Sequence, residues 1–318
     1  MVHVCSALVT RLGRGAVVVL AVLVGAVVAP TVVGATDLGF DRPYVEYVDT
    51  SRRTPANGTY KGATSRTIGV ELAIPEGNGP FPVVVWSHGQ GTPVRLSEPM
   101  YDALAAKGYL VVAPQYPLSN NLAPGGVTGT DRANQPGDLS FVLTKVIEAS
   151  ARPGNFLSGK VDPDRIGVAG ESLGGYTTLG VLAPSGLDPR VKAAIVGAPA
   201  VFPAFPMAAP AGNVPVLYLA GDKDDLTATT RGFYDASRAP KWFGAIKGAD
   251  HYAAIDPAQG KQPAIFATMI AFLDLYLRGD RTGATRLERI SARGTVSLRS
   301  VIACGGRVPG ASAARTRC

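Results

Sequence analysis

The sequence predicts an α/β fold with a mostly parallel central sheet and helices on both of its faces. Three observations carry that expectation. From about residue 66 onward, short β-branched runs alternate with helical stretches, the pattern of parallel strands joined by crossover helices. A chain of 318 residues with 46% hydrophobic and only 17% charged positions can bury one large core. Two Gly-, Pro- and Asn- or Ala-rich stretches, 116–135 and 197–213, follow strand ends, where open α/β sheets place their ligands.

In chain order, the strands are expected at 67–74, 82–87, 109–113, 165–169, 191–196, 214–220 and 241–246. Helices are expected at 96–107, 137–149, 173–182, 229–237 and 263–277. No internal repeat interrupts this order. The core domain is therefore drawn over 66–280, with an N-terminal extension at 36–65 and a basic C-terminal tail at 281–318.

Residues 1–35 read as a signal peptide. Arg11 and Arg14 precede an apolar run of 14 residues at 16–29, and the small residues Gly34 and Ala35 follow. A membrane span needs about 20 apolar residues, so an uncleaved anchor is the lesser alternative. The expected location is secreted or attached to the cell envelope. Cleavage near Ala35 leaves 29 basic against 24 acidic residues. From Arg278 to the end there are nine Arg against Asp280 and Glu288, with no aromatic after Tyr276. A nucleic-acid surface would interleave the two, so a solvated or envelope-facing tail is expected and no nucleic-acid partner.

Cys5 lies in the signal segment, which leaves Cys304 and Cys318 in a compartment where disulfides persist. Their pairing is expected, with two free thiols as the alternative. Closing that loop would contribute roughly 3 kcal/mol in the chain-entropy picture.

Gly170-Glu171-Ser172-Leu173-Gly174 fits the G-x-S-x-G turn that lifts a serine hydroxyl above a sheet between a strand and a helix. In a chain with 38 glycines the pattern alone is weak. Its context supports it, because Ile166-Gly167-Val168-Ala169 supplies the strand and Gly175-Tyr176-Thr177-Thr178-Leu179 the helix. A serine nucleophile needs a base, usually histidine. His3 leaves with the signal segment, so only His88 and His251 remain. In such folds the order is serine, acid, histidine, which excludes His88 and selects His251. The acid is expected after the strand at 214–220, in Gly221-Asp222-Lys223-Asp224-Asp225. Asp224 is chosen, with Asp222 and Asp225 as adjacent competitors. Its role would be to fix the tautomer of His251.

Trp86-Ser87-His88-Gly89-Gln90-Gly91 follows the second strand. Backbone N–H groups of Gln90 and Leu173 are the expected oxyanion donors, with His88 bracing the loop by a hydrogen bond. Phe202, Phe205 and Met207 are candidate contacts for an acyl group, against the plainer reading that they cover the core. No zinc-type ligand cluster and no phosphate-cradling motif is present in the sequence, so neither metal nor cofactor is expected.

These segments together resemble the dienelactone-hydrolase-like branch of the α/β-hydrolases, which includes chlorophyllases, platelet-activating-factor acetylhydrolases and secreted bacterial polyester hydrolases. The resemblance spans roughly 66–280. It rests on Pro82-Val83-Val84-Val85-Trp86-Ser87-His88-Gly89, Leu104-Ala105-Ala106-Lys107-Gly108-Tyr109, the run from Gly170 to Gly175, and the segments ending at Asp224 and His251. It implies cofactor-free cleavage of small or lipid-like carboxylic esters through an acyl-enzyme. Polyester hydrolases typically have His where this chain has Glu171 and an aromatic where it has Gln90. They also carry a Trp after the next strand, where Ala198-Pro199-Ala200-Val201 runs into Phe202. Dienelactone hydrolases differ in using a cysteine nucleophile. A secreted acyltransferase with the same triad, and a non-catalytic envelope-binding protein of the same fold, are the rival expectations. The sequence does not specify an oligomeric state.

Overall fold

The computed structural model describes residues 40–202 and 209–302. The signal segment, the cysteine pair Cys304 and Cys318, and the candidate contacts Phe205 and Met207 lie outside the described residues.

The elements in order are β1 (Phe40–Asp41), β2 (Tyr44–Asp49), β3 (Arg66–Pro75), β4 (Phe81–Ser87), α1 (Glu98–Ala105), β5 (Leu110–Gln115), α2 (Gln135–Ser150), β6 (Val161–Glu171), α3 (Leu173–Leu182), β7 (Val191–Gly197), β8 (Val216–Gly221), α4 (Thr227–Ala236), β9 (Lys241–Ile246), α5 (Gln262–Leu277), α6 (Thr282–Ala292) and β10 (Val296–Val301). One sheet runs β1-β3-β5-β4-β6-β7-β8-β9-β10, with β2 also paired to β3. Its centre, from β5 through β9, is parallel. Its edges are antiparallel: β1, β2 and β5 on β3, and β10 on β9. The mostly parallel α/β architecture expected from the alternation is the one observed.

The central strands are apolar almost without a break because both of their faces are covered. Along β4, Val83 and Val85 pack toward Leu139, Val142 and Val146 of α2 and Leu179 of α3. Val84 and Trp86 point the other way, toward Leu104 of α1 and Met269 and Phe272 of α5. This period-two alternation gives two core layers, one on each face of the sheet.

The wall at 116–135 is anchored by buried polar groups. Arg66, fully buried at the start of β3, donates from Nε to Asp138 Oδ1 (2.8 Å) and from Nη2 to Asp131 Oδ2 (2.7 Å). Gln135 Nε2 donates to Ser119 Oγ at 2.7 Å, and its Oε1 accepts from Thr177 Oγ1 on α3. The Asp131 and Ser119 contacts join the irregular stretch to β3 and α2, and the Asp138 contact joins β3 to α2.

Two boundaries differ from the sequence reading. The N-terminal extension at 36–65 contains β1 and β2, which pair with β3. The stretch assigned to the basic tail contains α6 and β10, and β10 pairs with β9 over six residues. These edge strands were hidden by the polar and charged residues that interrupt their apolar positions. In α6, Ala284 and Leu287 are buried while Arg286 donates to Asp274 (2.7 Å) and Asp280 (3.2 Å). Arg286 therefore ties a packed helix to α5 and to the turn before it. β6 also begins earlier than expected, at Val161, across the turn-like Asp162-Pro163-Asp164.

Leu287 is 0% exposed. Leu287→Ala is expected to lower stability by about 2–5 kcal/mol in urea denaturation, the range for truncating a core leucine. A solvated tail would give a change within about 0.5 kcal/mol.

Candidate active site

The site assembles where the parallel strands end. β6 closes with Gly170-Glu171, and Ser172 turns the chain into α3 with φ 55° and ψ −119°. A non-glycine residue with positive φ is strained by about 1–3 kcal/mol and persists only where its surroundings fix it. Here they do: the Ser172 N–H donates to the Gly197 carbonyl (2.9 Å), and the Ser172 carbonyl accepts from Tyr176 N (3.0 Å) and Ala200 N (2.9 Å). A side chain on Gly174 would collide with the Ser87 carbonyl, and one on Gly170 with the Gly174 carbonyl. Glycine at both places lets α3 cross the end of β4 in backbone contact.

Asp224 follows β8 and is buried; His251 follows β9, and its side chain is 24% exposed. Asp224 Oδ2 accepts from His251 Nδ1 at 3.0 Å, and its Oδ1 accepts from Leu226 N at 2.8 Å. With Nδ1 carrying the proton, Nε2 keeps its lone pair. The structure separates the three adjacent acids that the sequence left open. Asp222 accepts from Gly248 N at 2.7 Å, and Asp225 is exposed.

The loop after β4 is held from below. His88 is buried; its Nδ1 donates to the Gly89 carbonyl (2.7 Å) and its Nε2 accepts from Tyr116 N (3.2 Å). Burial pushes the imidazole pKa down, which keeps the ring neutral for that pairing. Gly91 N donates to the Ser119 carbonyl at 2.8 Å, tying the loop to the 116–135 wall. Leu173 is the first residue of α3, so its N–H has no intrahelical acceptor. The Gln90 N–H has no backbone acceptor among the described residues. These are the two amides expected as oxyanion donors.

Phe202 packs edge-on to Tyr176 of α3 at a centroid distance of 5.4 Å, and the Arg132 guanidinium lies 3.9 Å above its ring. Gly129 faces both the Gln90 amide oxygen and the Phe202 ring. Of the three residues named as acyl contacts, Phe202 thus belongs to the neighbourhood of Gln90 and α3. Arg132 and Tyr176 were missed in the sequence, because nothing local distinguishes them from ordinary surface and helix residues.

Glu171 was read from the sequence only as a departure from a motif. It is 6% exposed, and burial pushes its carboxyl up to about 7, with His251 pulling the value down and Asp224 pushing it up. It lines a cavity of about 40 Å³ together with Trp86, Asp224 and His251.

A mostly parallel sheet, a strained serine between strand and helix, and an Asp–His pair on later strand ends define an α/β-hydrolase. Residues 103–294 match the PETase family, described as PET hydrolase-like. The chain belongs to that family, one of ester-cleaving hydrolases, and of the three groups that the sequence resembles this match selects the polyester hydrolases. No curated protein matches the sequence.

His88→Leu would leave the Tyr116 amide buried without an acceptor. Its expected effect is a stability loss of about 1–3 kcal/mol in urea denaturation.

Proposed function

We propose that the chain is a secreted serine hydrolase that cleaves carboxylic esters through an acyl-enzyme on Ser172. The observation that carries this reading is the Asp224–His251 pair at 3.0 Å on the same sheet edge as a serine held at positive φ. His251 Nε2 takes the Ser172 proton as Oγ attacks the ester carbonyl. The carbonyl oxygen becomes an oxyanion that accepts from the N–H groups of Gln90 and Leu173. His251 then gives its proton to the leaving alkoxide, and the alcohol departs. Water, deprotonated by the same imidazole, attacks the acyl-enzyme and releases the acid. Asp224 accepts from His251 Nδ1 throughout, orienting the ring and stabilising its imidazolium.

The amphipathic lid helix that long-chain lipases use has no counterpart in the sequence pattern of the two irregular stretches, so short or medium acyl groups are the proposed substrates. Phe202 and Tyr176 supply an aromatic wall for the acyl group. Secretion rests on the layout of residues 1–35, and an envelope contact on the arginine-rich C-terminal stretch.

Hydrolysis of p-nitrophenyl esters from acetate to palmitate tests the reading. Ser172→Ala is expected to reduce kcat by about 10³-fold or more. A Ser172→Ala variant as active as the wild type overturns it. Among the acids, Asp224→Asn is expected to reduce kcat by about 10⁴-fold, as loss of the orienting carboxylate does in other triads. Asp222→Asn should stay within about tenfold of wild type, because its carboxylate accepts from the Gly248 amide and, among the described residues, does not bond His251.

A further inference from the structure

Glu171 takes no part in the steps above, yet it adjoins Ser172 and is 94% buried. Its Oε2 has no hydrogen-bond partner among the described residues, and neither has Nε1 of Trp86. Both side chains line the cavity of about 40 Å³ that Asp224 and His251 also border. That volume accommodates one or two waters. A water there can accept from the indole N–H and donate to Glu171, giving the carboxylate a donor that the protein does not.

The titratable groups facing this cavity are His251 and Asp250 after β9 and Asp224 after β8. The remaining walls, from β4, β7 and α5, contribute Trp86, Ile195, Ile265 and Met269, none of which titrates in the range of interest. Asp250 is exposed and accepts from Tyr252 N and Gln259 Nε2, so solvent screens its charge.

We propose that Glu171 is a positioning residue for acyl transfer: as a carboxylate it stabilises the imidazolium of His251 across their shared cavity, and as a carboxylic acid it withdraws that support. This rests on the Ser172–His251–Asp224 reading. The proton lost by Glu171 goes to bulk solvent, and the Ser172 proton still goes to His251 Nε2. Charge coupling is reciprocal. A protonated His251 eases the ionisation of Glu171, so an ionised Glu171 eases the protonation of His251. Among the charges acting on Glu171, His251 outweighs Asp224. Activity should therefore gain a rise near pH 7 as Glu171 ionises.

The experiment measures kcat and KM of the full chain on p-nitrophenyl butyrate between pH 5 and 9, for wild type, Glu171→Gln, Glu171→Asp and Ser172→Ala. Glu171→Gln should match wild type near pH 5.5 and fall about 3- to 10-fold below it near pH 8.5, with KM unchanged. Glu171→Asp should restore a pH-dependent limb at a shifted midpoint. Thermal unfolding gives a readout independent of activity. A native acid raised above its unfolded value loses stability as pH climbs from about 4.5 to 7. The Tm of Glu171→Gln should therefore rise relative to wild type across that window. The proposal is overturned if Glu171→Gln lowers kcat equally at every pH, exceeds wild type above pH 7, or keeps a constant Tm difference. An active Ser172→Ala variant sinks the triad itself. An inert Ser172→Ala beside an unchanged Glu171→Gln profile sinks only the role of Glu171.

Discussion

The crossing of α3 over the end of β4 is the constraint on which the rest of the site depends. Ser172 can hold φ 55° because its amide and carbonyl are fixed by Gly197, Tyr176 and Ala200. The helix can approach that closely because Gly170 and Gly174 present no side chain to the carbonyls at the crossing. The strain at Ser172 is thus offset by backbone hydrogen bonds to neighbouring elements. The same crossing puts the first amide of α3 next to the loop after β4, so the positions of Ser172 and of that amide share one cause.

Parallel pairing does the remaining assembly. Because β4, β6, β7, β8 and β9 run in one direction, the loops bearing Gln90, Ser172, Gly197, Asp224 and His251 all leave the same edge of the sheet. No long-range folding of loops is then needed to bring the Asp224 carboxylate to the His251 imidazole. Fixed polar contacts hold the loops in place: His88 between Gly89 and Tyr116, Asp222 on Gly248, and Arg66 on Asp131 and Asp138.

Two buried acids that line one cavity, Asp224 and Glu171, have different environments. Asp224 has a donor on each oxygen, from Leu226 and from His251, which compensates for its removal from water. Among the described residues Glu171 has no donor on Oε2, and it lines a largely apolar cavity, so burial raises the pKa of its carboxyl.

Much of the fold was legible in the chain because buried parallel strands and amphipathic helices leave strong local patterns. β3, β4, β7, β8, β9 and α3 fall within two residues of their expected limits. β2 and β10 were not read as strands, since Glu46 and Asp49 interrupt the apolar run of Tyr44-Val45-Glu46-Tyr47-Val48-Asp49 and serines and Arg299 interrupt that of β10. In β10 the alternation of Val296 and Leu298 with Ser297 and Arg299 was the available signal. At the site, the order of Gly170-Glu171-Ser172, Asp224 and His251 was visible because chain order and a scarcity of histidines restrict the choices.

The sheet, the serine turn and the candidate histidine follow from the sequence alone, because they depend on local periodicity, glycine placement or elimination. The pairing of His251 with Asp224, while Asp222 accepts from Gly248, appears only in three dimensions, since three neighbouring carboxylates share one composition and differ in where the β8 turn aims them. It alone gave Glu171 its burial, its missing partner and its place beside His251. The reason is physical: desolvation and charge coupling depend on distances between segments far apart in the chain, and local sequence does not encode those distances.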